Sequence, residues 1–115
     1  MIPNKVIIML FVTSIVFTSC EEKINNTKTE TQKIYGNCLM CKRTINKAGN
    51  LNGIAKVNWD KETKVASITY DSSQTTLNEV LQRIANAGYD NDVFTAPDEA
   101  YNDLYKCCKY ERQKK

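Results

Sequence analysis

Two runs of alternating residues, Ala55-Lys56-Val57-Asn58-Trp59 and Val65-Ala66-Ser67-Ile68-Thr69-Tyr70, flank the polar stretch Asp60-Lys61-Glu62-Thr63-Lys64. In the first run Ala55, Val57 and Trp59 share one face of a strand, and in the second Ala66, Ile68 and Tyr70 do the same. The polar residues between them read as a turn, so the stretch predicts an antiparallel hairpin with one face toward a core.

Upstream, Cys41, Ile45 and Ala48 recur at helical spacing, predicting a helix from about Cys41 to Ala48 that Gly49 ends. A short strand ending at Ile34-Tyr35-Gly36 precedes it. Downstream, Thr76-Leu77-Asn78-Glu79 has capping-box spacing, in which the threonine hydroxyl and the glutamate each satisfy a free backbone N–H. Leu77, Val80, Leu81, Ile84 and Ala85 form the buried stripe of a second helix, Gly88 ends it, and a last strand is expected over Asp92 to Thr95. The order strand, helix, strand, strand, helix, strand defines an α+β class, the ferredoxin-like βαββαβ sandwich with both helices on one face of an antiparallel sheet.

The chain has 115 residues, a net charge of +3 and no histidine. Its basic residues are interspersed with acids, which argues against a nucleic-acid footprint. Without histidine there is no hydrolytic zinc site of the usual kind, no Ser-His triad and no Cys-His pair, so a non-enzymatic role is expected. The chemistry falls to five cysteines: Cys20, the pair Cys38 and Cys41, and the neighbours Cys107 and Cys108.

Lys5 precedes an apolar run from Val6 to Phe17, and Thr18 and Ser19 lead into Cys20. The layout is that of a secretory signal over residues 1–19, shorter than the roughly 20 apolar residues of a membrane span. A cysteine after Thr18 and Ser19 resembles the box of bacterial lipoproteins, which implies lipid attachment at Cys20 and a place in the cell envelope, at the periplasmic face or the cell surface. Residues 20–32 are polar and read as a tether. The folded domain is then expected over residues 33–95, with an extension over 96–115.

Cys38 falls in the loop after Gly36 and Asn37, and Cys41 at the helix start, so their sulfurs converge. Helix N-terminal amides, with Lys42 and Arg43 beside them, favour thiolate over thiol. Gly36 gives the loop a turn free of a Cβ clash. Thiolates select soft ions, and two of them without further ligands suit a two-coordinate Cu(I) better than a four-coordinate structural Zn(II).

Gly-x-Cys-x-x-Cys after the first strand, Tyr70-Asp71 and Ala87-Gly88-Tyr89 together resemble the heavy-metal-associated domain family of copper chaperones and mercury-binding proteins. The resemblance covers roughly residues 33–95. It implies Cys38 and Cys41 as ligands for Cu(I), Hg(II) or another soft ion such as Zn(II), and Tyr89 in the loop packed near them. It also implies an acceptor thiolate on a metal-transporting membrane protein. The loop departs from the family's Gly-Met-Thr-Cys-x-x-Cys by being one residue shorter, and Met40, between the cysteines, is the substitute available for the family's core-facing methionine.

Past the domain, Pro97, Asp98 and Glu99 start a short helix reaching about Lys106, packed through Ala100, Tyr101, Leu104 and Tyr105. It would bring Cys107 and Cys108 toward Cys38 and Cys41 as added ligands; a vicinal disulfide or a bridge to the first pair are the other readings. Thiol-disulfide exchange is the competing function for the same C-x-x-C. Thioredoxin-like folds, however, set that motif in a larger sheet opposite a proline that neither Pro3 nor Pro97 can supply.

Overall fold

The computed structural model describes residues 23–113. Within them the chain forms β1 (Thr27–Lys33), α1 (Leu39–Gly49), β2 (Ala55–Trp59), β3 (Val65–Asp71), α2 (Leu77–Asn86) and α3 (Asp98–Asn102), then a 3-10 turn over Lys106–Cys108. The expected signal segment and Cys20 lie outside the described residues. β2 and β3 form the hairpin in the register the alternation predicts, with Ala55 opposite Tyr70, Val57 opposite Ile68 and Trp59 opposite Ala66. All six side chains are buried.

β1 pairs antiparallel with the other side of β3, so the sheet order is β1-β3-β2. Cys41 and Ile45 of α1 and Val80, Leu81 and Ile84 of α2 join the inward hairpin residues in one core. Each fully buried large aliphatic side chain in it stabilises the fold by about 1.5 to 3 kcal/mol, so the domain does not need a cysteine cross-link. The free edge of β2 is closed from α1: Asn50 Oδ1 accepts from the Val57 amide at 2.7 Å and Asn46 Oδ1 from the Trp59 amide at 2.9 Å. These bonds satisfy an edge strand and fix the slope of α1, whose first turn carries the cysteine pair.

The architecture is the expected α+β, ferredoxin-like one, with local differences. β1 begins at Thr27, inside the stretch read as tether, and ends at Lys33. Thr27, Thr29 and Thr31 supply β-branched residues at period two, and the Thr29 and Thr69 hydroxyls meet across the pair at 3.0 Å. No fourth strand forms over Asp92 to Thr95; Ile34 and Asn91 make a single antiparallel bridge instead. Side chains take the amides that a strand would pair: Asn91 Oδ1 accepts from Val93 and Phe94, and Asp90 Oδ1 from Ala96.

α1 starts at Leu39, and Gly49 is its last helical residue rather than its stop. A Cβ there would overlap the Val57 side chain, so close packing of helix on sheet selects this glycine. Gly88, by contrast, has φ +111° and closes α2, with the Tyr89 amide on Ile84 O and the Gly88 amide on Ala85 O. At the other end of α2 only half of the capping box forms. Thr76 Oγ1 accepts from the Glu79 amide at 3.2 Å, while the Glu79 carboxylate accepts from the Thr75 hydroxyl at 2.7 Å. The C-terminal helix is shorter than expected, and Tyr105 is 73% exposed because the chain turns away after Asn102.

Candidate metal centre

Cys38 is the N-cap of α1, with extended backbone, and its Sγ accepts from the Cys41 amide at 3.4 Å. Sulfur here takes the place of the serine or aspartate oxygen that usually satisfies such an orphan amide. One turn on, Cys41 points into the core, and its Sγ lies 3.1 Å from Cys38 Sγ. The Cys41 thiol donates to Asn37 Oδ1 at 3.1 Å. Asn37 therefore orients the inner sulfur, a role its position ahead of the motif did not disclose. Gly36 is required by proximity: a Cβ on it would stand 3.0 Å from Trp59 Cζ2 and 3.3 Å from Cys41 Cβ.

A third sulfur arrives from the far end of the chain. Cys108 is 1% exposed, with Sγ 3.5 Å from Cys38 Sγ, and the donor atoms of Cys38, Cys41 and Cys108 all lie within 4.8 Å of one another. All are free thiols. What seats Cys108 is the residue that follows two places later. The Tyr110 hydroxyl accepts from the Asp90 amide and donates to Gly88 O, each at 2.8 Å, and its ring stacks on Tyr89 at 5.8 Å. Tyr101 meets the same ring edge-on at 5.1 Å and donates to Tyr110 O at 2.6 Å. Arg112 then clamps Asp90 through Nε and Nη2 at 2.9 and 2.8 Å, Asp98 at 2.7 Å and Ala96 O at 2.8 Å. An aromatic and a cation eleven and thirteen residues after Glu99 are weak signals in a sequence; their partners are fixed only by the fold.

Partial burial opposes ionisation of Cys38, but hydrogen bonds from the Cys41 thiol and amide, and from Cys108, hold its thiol down at about 7. Neighbouring thiols and one amide, not Lys42 or Arg43, supply the shift. Lys42 acts instead on Asp60, which the Thr63 and Glu62 amides already hold below the ordinary carboxylate range. Burial pushes the Cys108 thiol up, and Cys38 and Cys41 reinforce the rise. The Tyr89 hydroxyl is buried and raised, first by burial and then by the adjacent Cys41 and Cys108 sulfurs, yet it meets neither with hydrogen-bond geometry. For a buried hydroxyl without a partner, the two adjacent sulfurs become stronger acceptors once they carry charge.

The other anticipated residues divide. Tyr89 is fully buried, with its hydroxyl beside the Cys41 and Cys108 sulfurs. Met40 does not fill the core; it is 42% exposed, because its place in the first turn of α1 faces away from the sheet. Cys107 is exposed and stands outside the trio, with Sγ 3.9 Å from Cys108 Sγ and 3.9 Å from Met40 Sδ. The geometry provides one partly exposed sulfur, Cys38, backed by two core-seated thiols, Cys41 and Cys108, which suits capture of a soft ion at low coordination number.

Residues 37–90 match the heavy-metal-associated domain. The mercuric transport protein periplasmic component of Pseudomonas aeruginosa is 33% identical over 69 residues, covering 58% of this chain and 76% of that one. Among solved structures, the CopZ metallochaperone is similar with a TM-score of 0.51 and 26% identity, covering 56% of this chain and 98% of the other. A protein of Bacillus anthracis str. Ames designated copper-ion-binding aligns with a TM-score of 0.53 and 28% identity, covering 59% and 99%. With its motif, its fold and its relatives in agreement, this chain belongs to the heavy-metal-associated domain family.

Proposed function

We propose that the chain is a carrier, not an enzyme, that takes up Cu(I) between Cys38 and Cys41, with Cys108 as third ligand, and passes it to a thiolate acceptor on a metal-transporting membrane protein. The observation that carries this reading is the three free sulfurs within 4.8 Å of one another. Soft-metal binding for trafficking is the family's business, and the sulfur cluster agrees with it. The choice of ion rests on the ligand set: sulfur alone, without nitrogen or carboxylate, favours Cu(I), with Hg(II) as the second candidate and Zn(II) behind it.

Cys38 is the half-exposed sulfur and the one held at about 7, so it meets the incoming ion first as thiolate. Cys41 and then Cys108 follow, each giving its proton to water as it binds. Handover runs in reverse, one sulfur exchanged at a time for a sulfur of the acceptor. A relative that is a periplasmic component of mercuric transport supports an envelope location and a membrane acceptor. Lipid attachment at Cys20 would tether the carrier there, with the strand at Thr27 shortening the linker to about six residues.

The test is anaerobic titration of the reduced chain with Cu(I), Hg(II) and Zn(II) against a colorimetric competitor, with a thiol-disulfide exchange assay on the same sample. Tight uptake of Cu(I), lost in C38S/C41S and weakened at least about tenfold in C108S, is expected; tenfold corresponds to about 1.4 kcal/mol. Rapid exchange turnover with weak uptake would make the chain a redox protein instead.

A further inference from the structure

Cys107 is the one cysteine of the described residues that the trio leaves over. Its sulfur lies 3.9 Å from Cys108 Sγ on one side and 3.9 Å from Met40 Sδ on the other. Metal–thiolate bonds of about 2.3 Å place two sulfurs that share an ion about 3.8 Å apart at a tetrahedral angle and about 4.6 Å apart in a line. Both spacings fall in that window with no rearrangement, and both Met40 and Cys107 are open to solvent. Met40 is held there by the first turn of α1 and Cys107 by the 3-10 turn, so two separate elements of the fold converge to make the contact. Thioether and thiolate are both soft donors, and a site with a thioether discriminates toward monovalent copper.

Cys107 is outside the set of mutually close donors. An ion gripped by Cys38, Cys41 and Cys108 therefore leaves Cys107 and Met40 unused, while Cys108 Sγ lies 3.5 Å from Cys38 Sγ on one side and 3.9 Å from Cys107 Sγ on the other. We propose that Met40, Cys107 and the shared Cys108 sulfur form a second, solvent-facing position for a soft monovalent ion, so that the loaded chain holds two. The proposal rests on the reading of the trio as the first ion's site. Binding changes no oxidation state: Cu(I) enters as Cu(I), and the Cys107 proton leaves to water. The outer ion would be the more readily exchanged, because two of its three ligands are on the surface.

Native mass spectrometry of the reduced full chain, titrated without oxygen with an acetonitrile complex of Cu(I), reads the count directly. Wild type is expected to take two ions per chain, the second at least tenfold more weakly than the first. C107S and M40L should each keep the first ion and stop there, with circular dichroism and melting temperature unchanged because both side chains are exposed. The proposal is overturned if wild type saturates at one ion, if both variants take the second as tightly, or if the second ion appears only in a two-chain species. Failure to bind even one ion overturns the three-thiol reading as well, whereas saturation at one leaves that reading standing.

Discussion

Cys38 is pulled in two directions, since burial resists a charge on it while donors from Cys41 and Cys108 favour one, and the donors win by lowering its thiol from 9.0 to about 7. A group lowered by folding contributes stability that is present above its unfolded value and lost as pH falls through the folded one, so this contribution fades from about pH 9 toward pH 7. Alkylation of Cys38 by iodoacetamide, mapped by mass spectrometry across pH, should show a midpoint near 7. C108A removes one donor and should move that midpoint upward; an unchanged midpoint would mean that the trio does not act as a unit. Tyr89 makes the complementary case. Its buried hydroxyl has no partner in the ion-free chain, so Tyr89→Phe should leave stability equal or raise it by up to about 1 kcal/mol. The same change should weaken Cu(I) binding, because a charged Cys41 or Cys108 sulfur is a much stronger acceptor for the hydroxyl than a neutral thiol is. Chemical denaturation and competitive titration on one preparation separate the two effects.

The elements differ in how plainly the residues announced them. The β2–β3 hairpin and the buried stripe of α2 follow from apolar periodicity, because those side chains face a core. β1 carries no such signal: none of its residues is fully buried, and it is held by pairing to β3 and by polar contacts such as Thr29 with Thr69. The fourth strand failed for the opposite reason, since Asp90 and Asn91 satisfy the local amides with their own side chains. In the sulfur cluster, the convergence of Cys38 and Cys41 was legible because their spacing is local. Cys108 could be suspected only by default, for its place depends on Tyr110 and Gly88, which meet across 22 residues. Gly88 is thus a hinge between α2 and the C-terminal segment. With φ +111° and Ala100 O 2.8 Å from where a Cβ would stand, Gly88→Ala should destabilise the fold by about 1 to 3 kcal/mol. It should also expose Cys108, so that a disulfide reagent that reacts slowly with this thiol in the wild type reacts quickly in the variant.

For the molecule as a whole, the three-sulfur cluster exists because the C-terminal segment is folded back and locked, and Arg112 is the lock. Burial would raise the Asp90 carboxyl, but the Arg112 guanidinium and the Ala96 amide hold it below the ordinary carboxylate range. Breaking a buried ion pair from one side costs about 3 to 5 kcal/mol, and with the Arg112 side chain 22% exposed the expected loss in Arg112→Gln is nearer 2 to 3 kcal/mol. Because the Asp90 value is lowered, the pair's contribution is full above the usual carboxylate range near pH 4 and declines as pH falls through the depressed value. Denaturant midpoints for wild type and R112Q should therefore differ by a constant amount at pH 6 to 7 and converge on acidification below about pH 4. The functional consequence separates lock from ligand. R112Q touches no sulfur, yet it should weaken Cu(I) binding by releasing Cys108, and it should have little further effect in a chain that already carries C108S. A double-mutant cycle on Cu(I) affinity measures this: strong non-additivity is expected, and simple additivity would show that Arg112 stabilises the domain without positioning the third sulfur.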